Sequence, residues 1–472
     1  MENESNLPFE DSPQGEAIVK RYEEMLSKRA NFFFDVDEFE DLVNHYNERN
    51  DAAKALDVLK YALELHPNSA SLLVSCAQIY VSIHKPQEAL RYLNMAESFE
   101  PFNIDLFHIK GNIYSQLRKS DRAVEQYKKA LEYAEKNERQ DLMLQLAFEL
   151  ENTNKYNEAI AYLQDILEGN PDNETALYEI GFCYDVSEQV EDGKTFFAQF
   201  VDKNPYSYIG WYNLGITFGK LELYEKAISC YDFAIAIKDD FSSAYFNKAH
   251  CYSQLEDFTK ALECFKDTLS LDTEDSLSLY YMGECYEKLN EIELAIKSYK
   301  RAIEIDDFIA DAWFGIGNCY YELERYQESL NHIKKAIGLD DGNPDYYYLL
   351  GDVQLDLRFH EEAFIAYKKV YELEPNDETI LIDLGNISAE MKDTDAAMDY
   401  FCEGVKKQPK NAKLLYNFVA FLLKKGDYIN ALFYLDVALK DYYEQKDELF
   451  EAYQDAKFNE QVLELVEYYK TH

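Results

Sequence analysis

The chain has 472 residues, with 47 Lys and Arg against 90 Asp and Glu, a formal net charge of −43. So large an acidic excess opposes phosphate contacts and argues against nucleic acid as a partner. Yet 47% of the residues are hydrophobic and 40 are Tyr, so this is no disordered acidic tail.

The first residues, MENESNLPFEDSPQGE, are acidic and polar. They hold neither the basic nor the apolar region of a secretory signal, and no apolar run in the chain approaches a membrane span. The expectation is a cytoplasmic chain without membrane insertion. Residues 1–13 read as a mobile acidic tail and 14–35 as an N-terminal capping helix. Ala17, Ile18, Tyr22, Met25 and Leu26 recur there at helical spacing, with Phe32, Phe33 and Phe34 docking the helix on the residues from Val36 onward. The alternative is a partner-binding arm.

From Val36 the chain repeats itself. The clearest copy is Tyr208 to Phe241. Trp211, Leu214, Gly215 and Phe218 form one apolar stripe of a first helix, and a polar turn comes after it around Leu221 to Tyr224. Ala227, Tyr231 and Ala234 mark a second helix. Gly215 and Ala227 are small, which predicts a close crossing of two helices in a hairpin. The same frame begins at Val36, Ala70, Ile104, Gln140, Glu174, Tyr208, Ser242, Ser276, Ala310, Pro344, Glu378 and Ala412, twelve copies over 36–445. The eighth and twentieth positions are small in nearly all of them. Proline often comes after the second helix, at Pro67, Pro101, Pro171, Pro205, Pro375 and Pro409, where it stops the helix. A lone hairpin cannot bury both faces, so each copy needs a neighbour.

Two irregularities interrupt the frame. The step from Ile104 to Gln140 carries extra residues in LEYAEKNERQ, which predicts a longer second helix in repeat three. In repeat five, Gly193 and Phe200 replace the usual residues. Together they predict either a pitch change or a local repacking over 130–205, a candidate flex point. The end of the chain, 446–472, reads as a capping hairpin with Leu449, Phe450, Ala452, Tyr453, Val462, Leu463, Leu465 and Val466 apolar at helical spacing.

Trp211, Leu214, Gly215, Phe218, Ala227, Tyr231 and Ala234 resemble the W-x2-L-G-x2-Y…A-x3-F…A pattern of the tetratricopeptide repeat (TPR) family. The resemblance covers all twelve frames. It implies an all-α fold, a right-handed α-solenoid (superhelix) of stacked antiparallel helix hairpins. It also implies a concave groove lined by the second, fifth, ninth, twelfth and thirteenth positions of each repeat.

Catalysis finds no support. Gly315-Ile316-Gly317 and the stretch GITFGK from Gly215 to Lys220 lie inside helices, not phosphate loops, and the eight His form no metal motif. The eight Cys show no zinc or disulfide spacing and read as small hydrophobes in a reducing compartment. The chain is expected to be no enzyme and to carry no cofactor or metal.

That leaves the groove. Fifteen of the positions implied to line it are acidic and four basic. A groove of one sign favours partners of the other. Aromatic residues recur at the fifth position, at Tyr178, Tyr212, Phe246, Tyr280, Phe314, Tyr348 and Tyr416, and suit peptide recognition or scaffold packing alike. The candidate peptide-binding residues are Tyr178, Phe182, Tyr212, Asn213, Phe246, Asn247, Tyr280, Glu284, Glu287, Phe314, Asn318, Tyr348 and Asp352. The expected partner is a basic or amphipathic peptide segment bound by a monomeric scaffold. Relatives that clamp a terminal carboxylate use Lys, Asn and Arg, but no Lys or Arg stands at the fifth or ninth position here. The alternative is a structural or regulatory subunit of a larger complex, with the enzyme on a separate chain, working through its outer face and caps.

Overall fold

The computed structural model describes residues 13–28, 32–136 and 138–471. Nearly all of the expected acidic tail lies outside them. The described residues are helices joined by short turns, with no strand. The chain divides into two compact units, one ending at Lys238 and the other beginning at Asp239. The first holds the N-terminal helix Pro13–Lys28 and repeats one to six; the second holds repeats seven to twelve and the C-terminal segment. The stretch 130–205 lies inside the first unit.

Local chemistry sets each helix. In ten of the twelve repeats the first helix starts at the first residue of the sequence frame; repeat four starts one residue early and repeat eleven two late. The residue just before is a side-chain N-cap in many copies: Ser69, Asn103, Asn173, Ser207, Asp275, Asn343 and Asn411 each accept a backbone N–H of the first turn. Asp35 goes further and forms a capping box with Glu38. Each first helix ends at a residue in the left-handed region, from Asn50 (φ 55°) to Lys392 (φ 66°), with Gly426 (φ 84°) in repeat twelve. The next N–H then bonds the carbonyl five residues back, as in Asp51 to Tyr46 and Glu291 to Tyr286. This closes the last turn and reverses the chain.

The space opposite Gly215 is filled by the ring of Tyr231, not by Ala227. A Cβ on Gly215 would lie 2.5 Å from that ring. The pairing recurs as Gly111 with Tyr127, Gly283 with Tyr299 and Gly351 with Tyr367. Where the eighth residue is Ala, as at Ala77 and Ala147, Leu93 and Leu163 stand in the Tyr place, and all four are fully buried. In these repeats volume is conserved across the hairpin while its two halves trade atoms, whereas repeat seven pairs Ala249 with Phe265 and repeat nine Gly317 with Ile333. Phe200 in repeat five obeys the same rule: Gly210 gives it room, with a Cβ there only 3.0 Å from the ring.

Several expectations need correcting. The second helix of repeat three, Ser120–Tyr133, has the ordinary fourteen residues. The extra residues enter the connection 134–138, where the Arg139 guanidinium donates to the Leu131 carbonyl at 2.9 Å. In the N-terminal helix, Ile18, Tyr22 and Met25 pack against Phe34, Phe39 and Leu42, but Ala17 and Leu26 face solvent. Of the three phenylalanines only Phe34 is fully buried, under the Arg21 guanidinium 4.2 Å above its ring; Phe33 is 74% exposed. At the C-terminus a six-residue helix, Asp447–Ala452, and a longer one, Glu460–Thr471, bury Leu449, Ala456 and Val462, while Leu463 is exposed.

All eight Cys are free thiols; seven are buried and Cys402 is exposed. We therefore expect a thiol reagent to modify one Cys rapidly in the native chain and the other seven only after denaturant is added. Two or more fast thiols in the native protein would contradict this packing.

Candidate functional site

In the second unit the first helices of repeats eight (Ser276–Lys288), nine (Ala310–Glu322), ten (Pro344–Asp356) and eleven (Ile380–Glu390) are stitched side by side through carboxylates. The Tyr280 hydroxyl donates to Glu284 at 2.6 Å. Glu287 accepts from Tyr299 and, across the repeat boundary, from the Asn318 amide at 2.9 Å. Asp311 accepts from Tyr346 of the next repeat at 2.5 Å, and Asp352 from Tyr367 at 2.7 Å. Asp383 accepts from Tyr348.

None of these five carboxylates is ion-paired among the described residues. Hydroxyl and amide donors satisfy their geometry, while Lys413 and Lys288 act on Asp383 and Glu284 only from beyond ion-pair distance. The acidities of Asp383, Asp352 and Glu284 record the consequence. Burial pushes Asp383 up to about 6, aided by the charge of Asp352 and opposed by the Tyr348 hydrogen bond and Lys413. Burial also raises Asp352, and Asp356 adds to it. Glu284 is raised by burial, then by Glu287 and Asp311, with Lys288 pulling the other way. The charged forms of Asp383, Asp352 and Glu284 thus sit in places that disfavour them.

The aromatic positions do not stack on one another as a free ladder. Each leans on a ring of its own or the next repeat: Phe246 on Tyr281 at 5.7 Å, Tyr280 on Tyr299 at 5.9 Å, Phe314 on Tyr346 at 4.9 Å, Tyr348 on Tyr367 at 5.8 Å. All four are half-buried. Asn247 is half-buried beside Phe246. Tyr416 departs from the series: it is fully buried and donates to the Tyr442 carbonyl at 2.9 Å.

In the first unit, Tyr178 and Phe182 on the first helix of repeat five (Glu174–Val186) and Tyr212 on that of repeat six (Tyr208–Lys220) line one apolar cavity of about 200 Å³. Phe197 and Ile216 complete its walls, and the Asp185–Lys220 ion pair closes one side. Tyr178 and Phe182 are 40% and 48% exposed, unusual for rings on a packed helix. Asn213, expected to reach a peptide backbone, is 4% exposed and donates instead to the Leu177 carbonyl at 2.7 Å. Gly181 leaves room for that amide. Nearby, Glu151 and Glu179 meet as a carboxyl pair, with the Cys183 thiol donating to Glu151 at 3.4 Å. Burial, with a smaller push from the Glu179 charge, raises Glu151 to about 7.

Asp383 and the hydroxyls of Tyr299, Tyr346 and Tyr367 stand outside the implied groove positions. Tyr299 and Tyr367 have a signal in the sequence, since each stands sixteen residues after a Gly of the eighth position, as Tyr127 and Tyr231 do. Asp383 has none, because its site depends on Tyr348 of the preceding repeat. Among the described residues no group of His, Cys, Asp and Glu is placed to hold a metal ion, and no helix is long and apolar enough to cross a membrane.

Comparison with known proteins agrees with this architecture. The family described as tetratricopeptide repeat matches at 242–275, 276–307 and 310–343 in one form, and at 104–137, 140–173, 209–241 and 344–377 in another. The "Transcription factor tau subunit sfc4" of Schizosaccharomyces pombe is 24% identical over 244 residues, covering 41% of this chain. The match spans only 24% of that relative's length. Among solved structures, the APC/C hetero-tetramer Cut9–Hcn1 aligns at 17% identity over 85% of this chain and 92% of its own, with a TM-score of 0.41. The C-terminal part of a TPR repeat-containing protein from Cytophaga hutchinsonii aligns at 20% identity over 54% of this chain and 99% of its own, with a TM-score of 0.43. By its family-model matches and its tandem helix pairs in one shared frame, the chain belongs to the tetratricopeptide repeat family, an all-α repeat scaffold for contacts between proteins.

Proposed function

We propose that this chain is a non-catalytic adaptor that holds a basic segment of a partner protein along the first helices of repeats eight to eleven. The observation that carries the reading is the set Glu284, Glu287, Asp311, Asp352 and Asp383, hydrogen-bonded yet without a cation. A Lys or Arg brought among them gains more than it would at a solvated acid, because the carboxylates are already stripped of part of their water. The half-buried rings of Phe246, Tyr280, Phe314 and Tyr348 would offer aromatic surface to guanidinium groups. In the first unit, the apolar cavity at Tyr178, Phe182 and Tyr212 would by itself take a hydrophobic side chain, so an amphipathic segment would suit that unit alone. We place the unbound protein in the cytoplasm as a monomer.

The test uses a labelled Arg-rich peptide and affinity capture from native extract, both at low and moderate salt. Glu284→Lys with Glu287→Lys is expected to weaken the peptide on the order of a hundredfold at low salt, with a smaller gap as salt rises. Captured partners with basic segments should disappear in parallel. A second reading, a structural subunit of a larger complex, draws on the match to a transcription factor tau subunit. It predicts a stoichiometric, salt-resistant partner indifferent to the double variant, and that outcome would sink the groove reading.

A further inference from the structure

The second helices of repeats eight (Ile292–Ile305), nine (Tyr326–Leu339) and ten (His360–Leu373) carry the opposite charge. At the same two frame positions stand Lys300 and Arg301, Lys334 and Lys335, Lys368 and Lys369. In a chain of net charge −43, six cations in register on three successive helices are not a sample of the average surface. All but Lys369 are exposed. Arg301, Lys334, Lys335 and Lys368 make no ion pair among the described residues, and Lys369 reaches only Glu372 at 3.6 Å.

Two clefts open beside these cations. In repeat nine, Trp313, Asn331, Lys334, Lys335 and Gly338 line a cleft of about 460 Å³, with Asp307 as its one acid, so that its two lysines outnumber it. The Trp313 indole is fixed by its N–H bond to the Asp307 carbonyl at 3.0 Å. In repeat six the equivalent Trp211 is covered by Phe233, stacked at 4.5 Å. The residue at the Phe233 position in repeat nine is Lys335, and Trp313 meets the His332 ring at 5.8 Å instead, leaving it half-buried beside the cleft. A Cβ on Gly338 would meet nothing within 4 Å, so the floor of the cleft is open. In repeat ten, Gln354, Ile365, Lys368 and Lys369 line a second cleft of about 540 Å³, with Glu362 and Glu372 also on its walls and Glu372 beside Lys369, so that Lys368 is its free cation among the described residues. Ile365 is 67% exposed there, and Gln354 is 7% exposed with a carbonyl oxygen that has no hydrogen-bond donor. A buried acceptor left unpaired costs about 1–3 kcal/mol until a donor reaches it.

We propose that the second helices of repeats nine and ten form a docking surface for an acidic segment of another protein. Its carboxylates pair with Lys334, Lys335 and Lys368. An apolar side chain lies on Trp313, another on Ile365, and a donor from the segment satisfies Gln354. The surface is independent of the carboxylate site on the first helices. It fits an acidic peptide rather than a nucleic acid, because the exposed Ile365 and the unpaired Gln354 acceptor suit an apolar side chain and a peptide N–H, neither of which a phosphate backbone carries.

The experiment uses the full chain and three labelled probes: a Glu/Asp peptide with two spaced Leu residues, the same peptide with Ser for Leu, and single-stranded RNA. The Leu-containing peptide is expected to bind in low salt. Lys334→Glu, Lys335→Glu and Lys368→Glu together, all on solvated positions that spare the fold, should weaken it tenfold or more. Gly338→Leu, which fills the open cleft, should weaken the Leu peptide but leave the Ser peptide unchanged. Glu284→Gln with Glu287→Gln should leave both unchanged. No binding of the Leu peptide, equal binding to the charge-reversed chain, tighter binding of RNA, or loss in the Glu284/Glu287 variant instead would each overturn the assignment. So would self-association of the wild-type chain that the charge reversal abolishes, since the acidic occupant would then be a second copy.

Discussion

Asp383→Asn is expected to make the protein more stable at neutral pH, by on the order of 1–3 kcal/mol, while weakening its hold on a basic peptide. Asp383 is mostly buried, accepts from Tyr348 and lacks an ion pair, and burial lifts its carboxyl to about 6 from an ordinary 3.8. The folded chain therefore binds this proton more tightly than the unfolded chain. Stability from the protonated group is fully present below the unfolded value, near pH 4, and is lost as pH rises through about 6. Above that the native state carries a charge it would rather not hold. Asn keeps an oxygen for the Tyr348 hydroxyl and removes the charge. Thermal melts at about pH 7.5 and about pH 4 should show a higher midpoint for the variant at the first and little difference at the second. A variant less stable than wild type at neutral pH would mean that the Asp383 charge is compensated in a way its hydrogen bonds do not reveal. The loss of peptide affinity in the same variant would mark the site as one where stability is given up for binding.

The second large effect lies in packing. Gly283→Ala is expected to destabilise the second unit by about 1–3 kcal/mol, although Ala is the better helix former by up to about 1 kcal/mol. A Cβ on Gly283 would come within 2.3 Å of the Tyr299 ring. That ring has nowhere to go: it is 1% exposed, Gly315 abuts its other side, and its hydroxyl is held by Glu287. Tyr299→Leu alone leaves a cavity and frees Glu287 from one donor. The two changes together recreate the Ala and Leu pairing of Ala77 with Leu93 and Ala147 with Leu163. The double variant should be more stable than the sum of the singles by about 1–2 kcal/mol, read from urea midpoints. Additive effects would show that Tyr299 relaxes away from the new methyl and that the size rule is not a coupling.

Much of this was legible in the residues because each hairpin restates it. The spacing of Trp211, Leu214, Gly215 and Phe218, copied along the chain, places the helix starts to within two residues. The candidate acids Glu284, Glu287 and Asp352 do lie on first helices within reach of tyrosine hydroxyls. What escaped depends on a neighbour rather than on the frame. Asn213 turns inward because Gly181, one repeat earlier, leaves a gap for its amide. Phe34 is core and Phe33 is surface because successive residues of an extended link point to opposite sides. The extra residues of LEYAEKNERQ entered a turn because the second helix of repeat three had already reached its full length.

The left-handed residue that ends each first helix has a consequence for how the protein comes apart. Among the described residues eleven of these are not glycine, and they include Glu188, Glu222, Glu256 and Glu324. Each carries strain of roughly 1 kcal/mol that glycine would relieve. Repeats touch only their neighbours, so opening can begin at any weak point and spread along the array. A glycine set into one turn would strengthen that hairpin alone. Placed at Glu324, it would shield repeat nine and leave the ends to fray first; placed near a terminus, it would send the first breach inward. The turns thus act as a row of independent latches, and the order in which they release can be rewritten one residue at a time.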